Sequence, residues 1–453
     1  MRYGVAVLSC VLVLSAQELT RQALEIFVYQ QGFAAVVERY HLSLPGGIAR
    51  FSFPIPGSAV EPQSLHLQLS SGRLQQLDYS AQLPTGEQLL KALRGQPVRF
   101  LSPDGQQVIE GQLTEVLADH AVLRTPIGVL LLPSPMSYRI LLDSLPSALQ
   151  LRPSLMATVA SERPSTAQAS LRYLLNGISW QMRYYAHLPD TGTQLRLQSF
   201  AIIQNATEER FDHAQLSLVA GQPRRQPPVV FEAVAALRTA EAKVAEAVPA
   251  EVFGDYYRYE LPQRVTLLPR QQLSVPVFDA VVGSVERFYR INTSSAHSGR
   301  LSAELTLRIP NTAANGLGIP LPAGTVQAYS AAMEQPGFLG ESPLAQTPVG
   351  DTAVIALGRA FDIQALQRRR EQRELSPTTV QLTYEILLEN RRPTAATVEL
   401  VFQVSEWNVV EWDIVRSSHP YRREEAQTAV FRTQLVGKSR ETITFTLQLR
   451  RRP

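Results

Sequence analysis

Hydrophobic residues recur at every second position in segment after segment of this chain, and no other feature narrows its possible folds as much. Leu65, Leu67 and Leu69 alternate with His66 and Gln68 ahead of the Ser71-Gly72 turn. Trp180, Met182, Tyr184 and Ala186 obey the same rule, as do Leu305, Leu307 and Ile309 before Pro310. Ile443, Phe445, Leu447 and Leu449 alternate with Thr442, Thr444, Thr446 and Gln448 in what reads as the last strand. A period of two places successive side chains on opposite faces of a sheet. Helical periodicity is scarce. The expected fold is therefore mainly β: tandem antiparallel β-sandwich domains of the immunoglobulin-like kind, a small SH3-like barrel and few helices.

With 453 residues the chain is long enough for two to four domains with real cores. Residues 1–16 read as an export signal peptide, with Arg2 as a one-charge leader, an apolar core from Val5 to Leu14 and a small-residue cleavage site at Leu14-Ser15-Ala16. An uncleaved hydrophobic N-terminus is the alternative. That core is shorter than the ~20 residues a spanning helix needs, so no transmembrane segment is expected after signal removal. Cys10, the only cysteine, lies inside the core, preceded by Ser9 and followed by Val11 to Leu14, unlike a lipoprotein cysteine. Cleavage after Ala16 would leave no thiol for disulfides, metal ligation or nucleophilic catalysis. The expected location is periplasmic or extracellular.

The mature chain divides into four parts. Residues 17–92 are expected to form an N-terminal antiparallel region, with strands at Phe33 to Leu44 and Ile48 to Pro54 flanking Pro45-Gly46-Gly47. Residues 93–140 hold short apolar runs between tight turns such as Pro103-Asp104-Gly105, the pattern of a small closed barrel. Residues 150–375 read as a central sandwich interrupted by an Ala-rich connector at 227–250, in which Val234 to Ala247 is either a helix or a disordered linker. Gln364 to Glu374, with Arg368-Arg369-Arg370, reads as a short solvated helix. Residues 376–453 fit a C-terminal immunoglobulin-like sandwich. Ala201 to Asn205 followed by Ala214 to Leu218 resembles Glu385 to Asn390 followed by Ala396 to Leu400, either as a duplicated unit or as two generic hairpins.

Charge excludes one class of partner. Lys+Arg 43 against Asp+Glu 40 leaves +3, which is not the footprint of a nucleic-acid binder. Positive charge is nearly all arginine, the lysines being Lys91, Lys243 and Lys438.

Catalytic motifs are not found. His41, His66, His120, His187, His213, His297 and His419 show no metal-ligand spacing. Gly437-Lys438-Ser439 looks like the end of a phosphate loop, but Arg432 stands where that motif needs Gly, and the triplet reads as a hairpin turn between strands. Glu208-Glu209, Glu406-Trp407 and Glu411-Trp412-Asp413 would suit a glycosidase, with tryptophans to stack on sugars; the competing reading puts both tryptophans in the core. Asn205-Ala206-Thr207 and Asn292-Thr293-Ser294 match glycosylation sequons. No catalytic, cofactor-binding or metal-binding residue is singled out, and no cofactor is expected.

Gly318 to Asp362 joins Leu321-Pro322-Ala323-Gly324, Gly340-Glu341 and Gly358-Arg359-Ala360-Phe361-Asp362 in one ordered run. Upstream lie Tyr29, Gly32, Val36 and Glu38, then Leu44-Pro45-Gly46-Gly47, Pro153-Ser154-Leu155, Tyr173 to Trp180, and Leu218-Val219-Ala220-Gly221. In this order the segments resemble the exported bacterial family known as domain-of-unknown-function family 4139, also labelled mucoidy-inhibitor-like. The resemblance implies an exported, β-rich protein and supplies no catalytic residues. Many relatives carry a long coiled-coil insertion, whereas this chain has only the β region between Leu93 and Arg139. The resulting expectation is a non-catalytic envelope scaffold for binding or assembly, with an envelope protein or glycan as partner. The alternative is an envelope polysaccharide or peptidoglycan hydrolase using paired carboxylates.

Overall fold

Strands dominate the computed structural model, which describes residues 17–57, 59–80, 85–117, 119–142, 153–189, 193–221, 223–225, 250–330 and 337–452. The mainly β expectation holds, with five sheets, and the one α-helix among the described residues is Gly86–Ala92. The expected signal segment with Cys10, and residues 227–249 of the expected connector, lie outside the described residues.

Pro45-Gly46-Gly47 does not close a hairpin. Phe33–Leu44 pairs with Arg21–Tyr29 and Ser165–Asn176, whereas Gly47–Pro54 pairs with Gln17–Glu18 and Ser154–Ser161. The chain steps from one sheet to the other at Gly46 and Gly47, whose φ values of +87° and +79° suit glycine. It steps back between Ser161 and Ser165. The N-terminal region expected as its own small sheet is thus shared out between two larger ones. Inward residues of both sheets, including Leu42, Leu44, Phe51 and Phe53, meet those of a third sheet in one continuous core.

That third sheet has the order Gln272–Val282, Leu195–Asn205, Ile178–Leu188, Gly324–Ser330, Gly337–Leu344. Its central pair, Ile178–Leu188 with Gly324–Ser330, is parallel. Trp180, Met182, Tyr184 and Ala186 point into the core, as their spacing predicts, and the Trp180 indole N–H donates to the Val219 carbonyl at 3.1 Å.

The C-terminal sheet has nine strands and begins well before residue 376, because it includes Glu286–Ser294, Gly299–Pro310 and Thr352–Ser376. Gln364 to Glu374 is not a helix. It is the second half of Thr352–Ser376, in which Ile363, Ala365 and Gln367 are buried at every second position and Arg370 bridges to Glu385 across the strand pair at 2.6 Å. Alternation and two pairing partners decide the conformation there, and the arginines occupy the exposed end of the strand.

Residues 97–141 form a half-barrel rather than the closed barrel expected, an open sheet in the order Gly128–Pro133, His120–Thr125, Val108–Val116, Pro97–Leu101, Arg139–Leu141. A four-strand meander, a 3-10 turn at Pro135–Ser137 and a fifth strand returning to the first give the SH3-like topology. Its core of Leu90, Val98, Phe100, Leu113 and Leu123 is separate from the others.

The two similar segments are the same device. Buried Asn205 donates to the carbonyls of Glu209 and Leu268 and accepts from the Thr207 N–H. Buried Asn390 donates to those of Thr394 and Val436 and accepts from the Arg392 N–H. The strand after each asparagine pairs in parallel, Phe211–Ala220 with Arg21–Tyr29 and Ala396–Gln403 with Glu286–Ser294. Neither is a hairpin.

Candidate binding site

The residues singled out for glycosidase chemistry do not converge on a cleft. Glu208 is exposed and bound to Arg270, while Glu209 accepts the Gly57 N–H at 3.0 Å. Glu411 and Asp413 are exposed, paired with Arg450 at 2.9 Å and Arg423 at 2.7 Å, and Glu406 lies 3.9 Å from Arg451. Trp412 is buried, its N–H donating to the Ala426 carbonyl at 2.8 Å. Trp407 contradicts the core reading, being 84% exposed.

Gly437-Lys438-Ser439 is also no hairpin, since the strands it joins, Thr428–Leu435 and Ser439–Arg451, pair with different neighbours. Among the described residues no three His, Cys, Asp or Glu side chains gather as a metal site. Asn205 of the first sequon is buried with its amide engaged, so the folded chain does not offer it for glycosylation.

Aromatic side chains do converge, on the outer face of the sheet containing Ile178–Leu188. Because Tyr184 and Ala186 face the core, Tyr185 and His187 face out, joined by Phe200 and Gln198 from the next strand and Tyr329 and Gln327 from the parallel one. Tyr185 meets Phe200 edge-on at 5.6 Å between centroids and Tyr329 at 6.4 Å, and Tyr329 meets Phe338 edge-on at 5.7 Å. These rings come from four adjacent strands.

A β-bulge completes the row. Ala328 stands opposite Gly340, but Tyr329 stands opposite Phe338, so Leu339 is the extra residue. Regular pairing would have put Leu339 beside Tyr329 and turned Phe338 away. Gly340 makes the bulge possible, since its φ is +155° and a Cβ there would lie 1.8 Å from the Leu357 carbonyl oxygen.

Tyr185, His187, Gln198, Phe200, Ser274 and Tyr329 line an open cleft of about 410 Å³. None of them carries a carboxylate or guanidinium. At its edge Asp279 accepts from Arg196 and Gln198, and its hydrogen bonds with Arg196 hold its carboxyl below the usual range.

Leu339, displaced by the bulge, lines a second open cleft of about 340 Å³ with Arg287, Tyr289, Arg359, Phe361 and Arg392. The Gly358-to-Asp362 segment bows out here, because Glu304 pairs with Arg359 while Ser302 pairs with Gln364, and Phe361 is left 82% exposed. Burial, then the nearby Arg287 charge, lowers the affinity of Arg392 for its proton.

A third surface is the outer edge of the barrel. Gly128–Pro133 is an end strand of its sheet, with Ile127 at 99%, Val129 at 70% and Leu131 at 58% exposure. The sequence marks this strand as the apolar run Val129 to Leu132 of the barrel, whereas the aromatic row was not named from it.

The chain matches no protein-family model and no curated protein.

Proposed function

We propose that this chain is an exported, non-catalytic binding scaffold of the bacterial envelope and a member of domain-of-unknown-function family 4139. The observation that carries the binding reading is the bare edge of Gly128–Pro133. Soluble proteins usually protect an end strand with charge, a bulge or a cover. This one carries only Gly, Val, Leu and Pro, pairs on one side with His120–Thr125, and has no second strand partner among the described residues. Such an edge recognises a partner segment by β-strand addition, with main-chain hydrogen bonds for affinity and the exposed Val129 and Leu131 for selectivity.

The segments behind the family resemblance have architectural jobs, which fits a scaffold. The carbonyls of Pro320, Pro322 and Ala323 accept from Tyr259, Tyr184 and Gln30. The buried carboxylate of Glu38 accepts from Tyr40, Tyr173 and Arg21. These groups hold the sheets together, and the Glu38 carboxylate is fully engaged in doing so. The hydrolase reading finds no support in the carboxylates proposed for it.

The test uses the full exported chain, wild type and with Val129→Lys plus Leu131→Lys, photo-crosslinked in intact envelopes. Both side chains are exposed, so the double variant should keep its stability within about 0.5 kcal/mol. A discrete crosslinked partner that disappears in the variant is expected. Equal crosslinking by both proteins, or turnover of purified envelope glycan by the pure protein, would overturn the reading.

A further inference from the structure

We propose that the aromatic cleft on the outer face of the Ile178–Leu188 sheet binds a neutral oligosaccharide. This site is separate from the barrel edge and adds a ligand class to the binding-scaffold reading, on which it rests only in being non-catalytic.

The argument starts from the rings. Phe200, Tyr185, Tyr329 and Phe338 lie on four adjacent strands with neighbouring centroids 5.6, 6.4 and 5.7 Å apart. Three strand intervals at roughly 4.8 Å give a row of rings about 14 Å long, the reach of a short chain of sugar rings, with the mutually tilted Tyr185 and Tyr329 at its centre and an edge-on ring at each end. Pyranose rings present flat C–H faces, whose slightly positive hydrogens suit the negative faces of aromatic rings. Their rims are hydroxyls, which need donors and acceptors. His187, Gln198, Ser274 and the tyrosine hydroxyls provide both around the rings.

Charge and geometry select against other ligands. An anionic glycan would want a guanidinium in the lining; Arg196 is held at the edge by Asp279, and Arg183, which stands opposite Phe200 across the strand pair, is not among the lining residues. A peptide strand gains nothing here, because a sheet face offers no free main-chain groups. An acyl chain would leave the amide, imidazole and hydroxyls desolvated without partners. The cleft volume of about 410 Å³ falls in the range of small-ligand sites. The bulge at Leu339 brings Phe338 into the row, and bulges of this kind commonly re-aim a side chain beside a site.

The experiment is affinity electrophoresis and calorimetry of the mature protein with mixed-linkage β-glucan, xylan, galactomannan and glycol chitin, and with polygalacturonate as the charged comparison. Retention by at least one neutral polysaccharide is expected, weakened roughly tenfold or more by Tyr329→Ala or Tyr185→Ala. Phe338→Ala removes a ring that is 60% exposed, so it keeps the fold and should weaken retention severalfold even where a tyrosine variant does not fold. Phe361→Ala and the barrel-edge variant should bind like wild type. Folded wild-type protein that no neutral polysaccharide retards, retention unchanged in Phe338→Ala and a folded tyrosine variant, or retention by polygalacturonate alone would overturn the proposal. Glycan retention with no crosslinked envelope partner would count against the barrel edge only.

Discussion

Glycines do much of the specifying at the scale of single residues, and for two different reasons. Gly32 has a φ of +87° but open space where a Cβ would be, so only backbone conformation demands it. Gly324 has no such φ, yet a Cβ there would sit 2.1 Å from the Met182 carbonyl oxygen, where the parallel strands Gly324–Ser330 and Ile178–Leu188 begin their pairing. Backbone cannot swing aside as a side chain can. We expect Gly324→Ala to lose about 1–3 kcal/mol or more by overpacking, read as a lower urea midpoint with unchanged slope. A stability loss below about 0.5 kcal/mol would mean that the strand ends separate freely.

At the scale of elements, local signals were legible wherever one segment carried them alone. The last strand, Ser439–Arg451, follows from Ile443, Phe445, Leu447 and Leu449, and the barrel strands from their short apolar runs. Turns were legible as turns but not as routes. Pro-Gly-Gly reverses a hairpin and carries a chain between sheets equally well, and only pairing partners more than 120 residues away, such as Arg39 opposite Ser170, decide between them. The aromatic row was illegible for a related reason: its rings come from positions 185, 200, 329 and 338, and the last depends on a bulge that breaks the parity of its strand. One signal was present and missed. Thr85 accepts from the Gln88 N–H while the Gln88 side chain accepts from the Thr85 N–H, a capping box that starts Gly86–Ala92. Thr85→Ala should cost the barrel about 0.5–2 kcal/mol, visible as faster amide exchange in residues 86–92. The sheet containing Ile178–Leu188 should exchange as before.

For the whole molecule, the cores define the units. Gly299–Pro310 and Thr352–Ser376 each contribute to both large cores: Leu307, Ile309, Ile355 and Leu357 to the first, Ala303, Ile363 and Ala365 to the second. The two cores are therefore expected to melt in one transition, whereas the barrel shares no strand with another sheet. Replacing residues 85–142 by a short Gly/Ser linker should leave that main transition within a few degrees of its original temperature. A collapse of the transition would show that the barrel braces the sandwiches.

The parallel pairs also govern the order in which the molecule can close. Arg21–Tyr29 waits for Phe211–Ala220, and Ile178–Leu188 for Gly324–Ser330, while Gln30 ends up donating to the Ala323 carbonyl. Synthesis at about 5–20 residues per second delivers these partners only after roughly 7 to 40 seconds. Through that interval the apolar faces of the earliest strands stand open to water and to one another. A chain stalled before residue 211 is therefore expected to present its front half as a sticky, incomplete sheet, which limited proteolysis of stalled nascent chains would reveal.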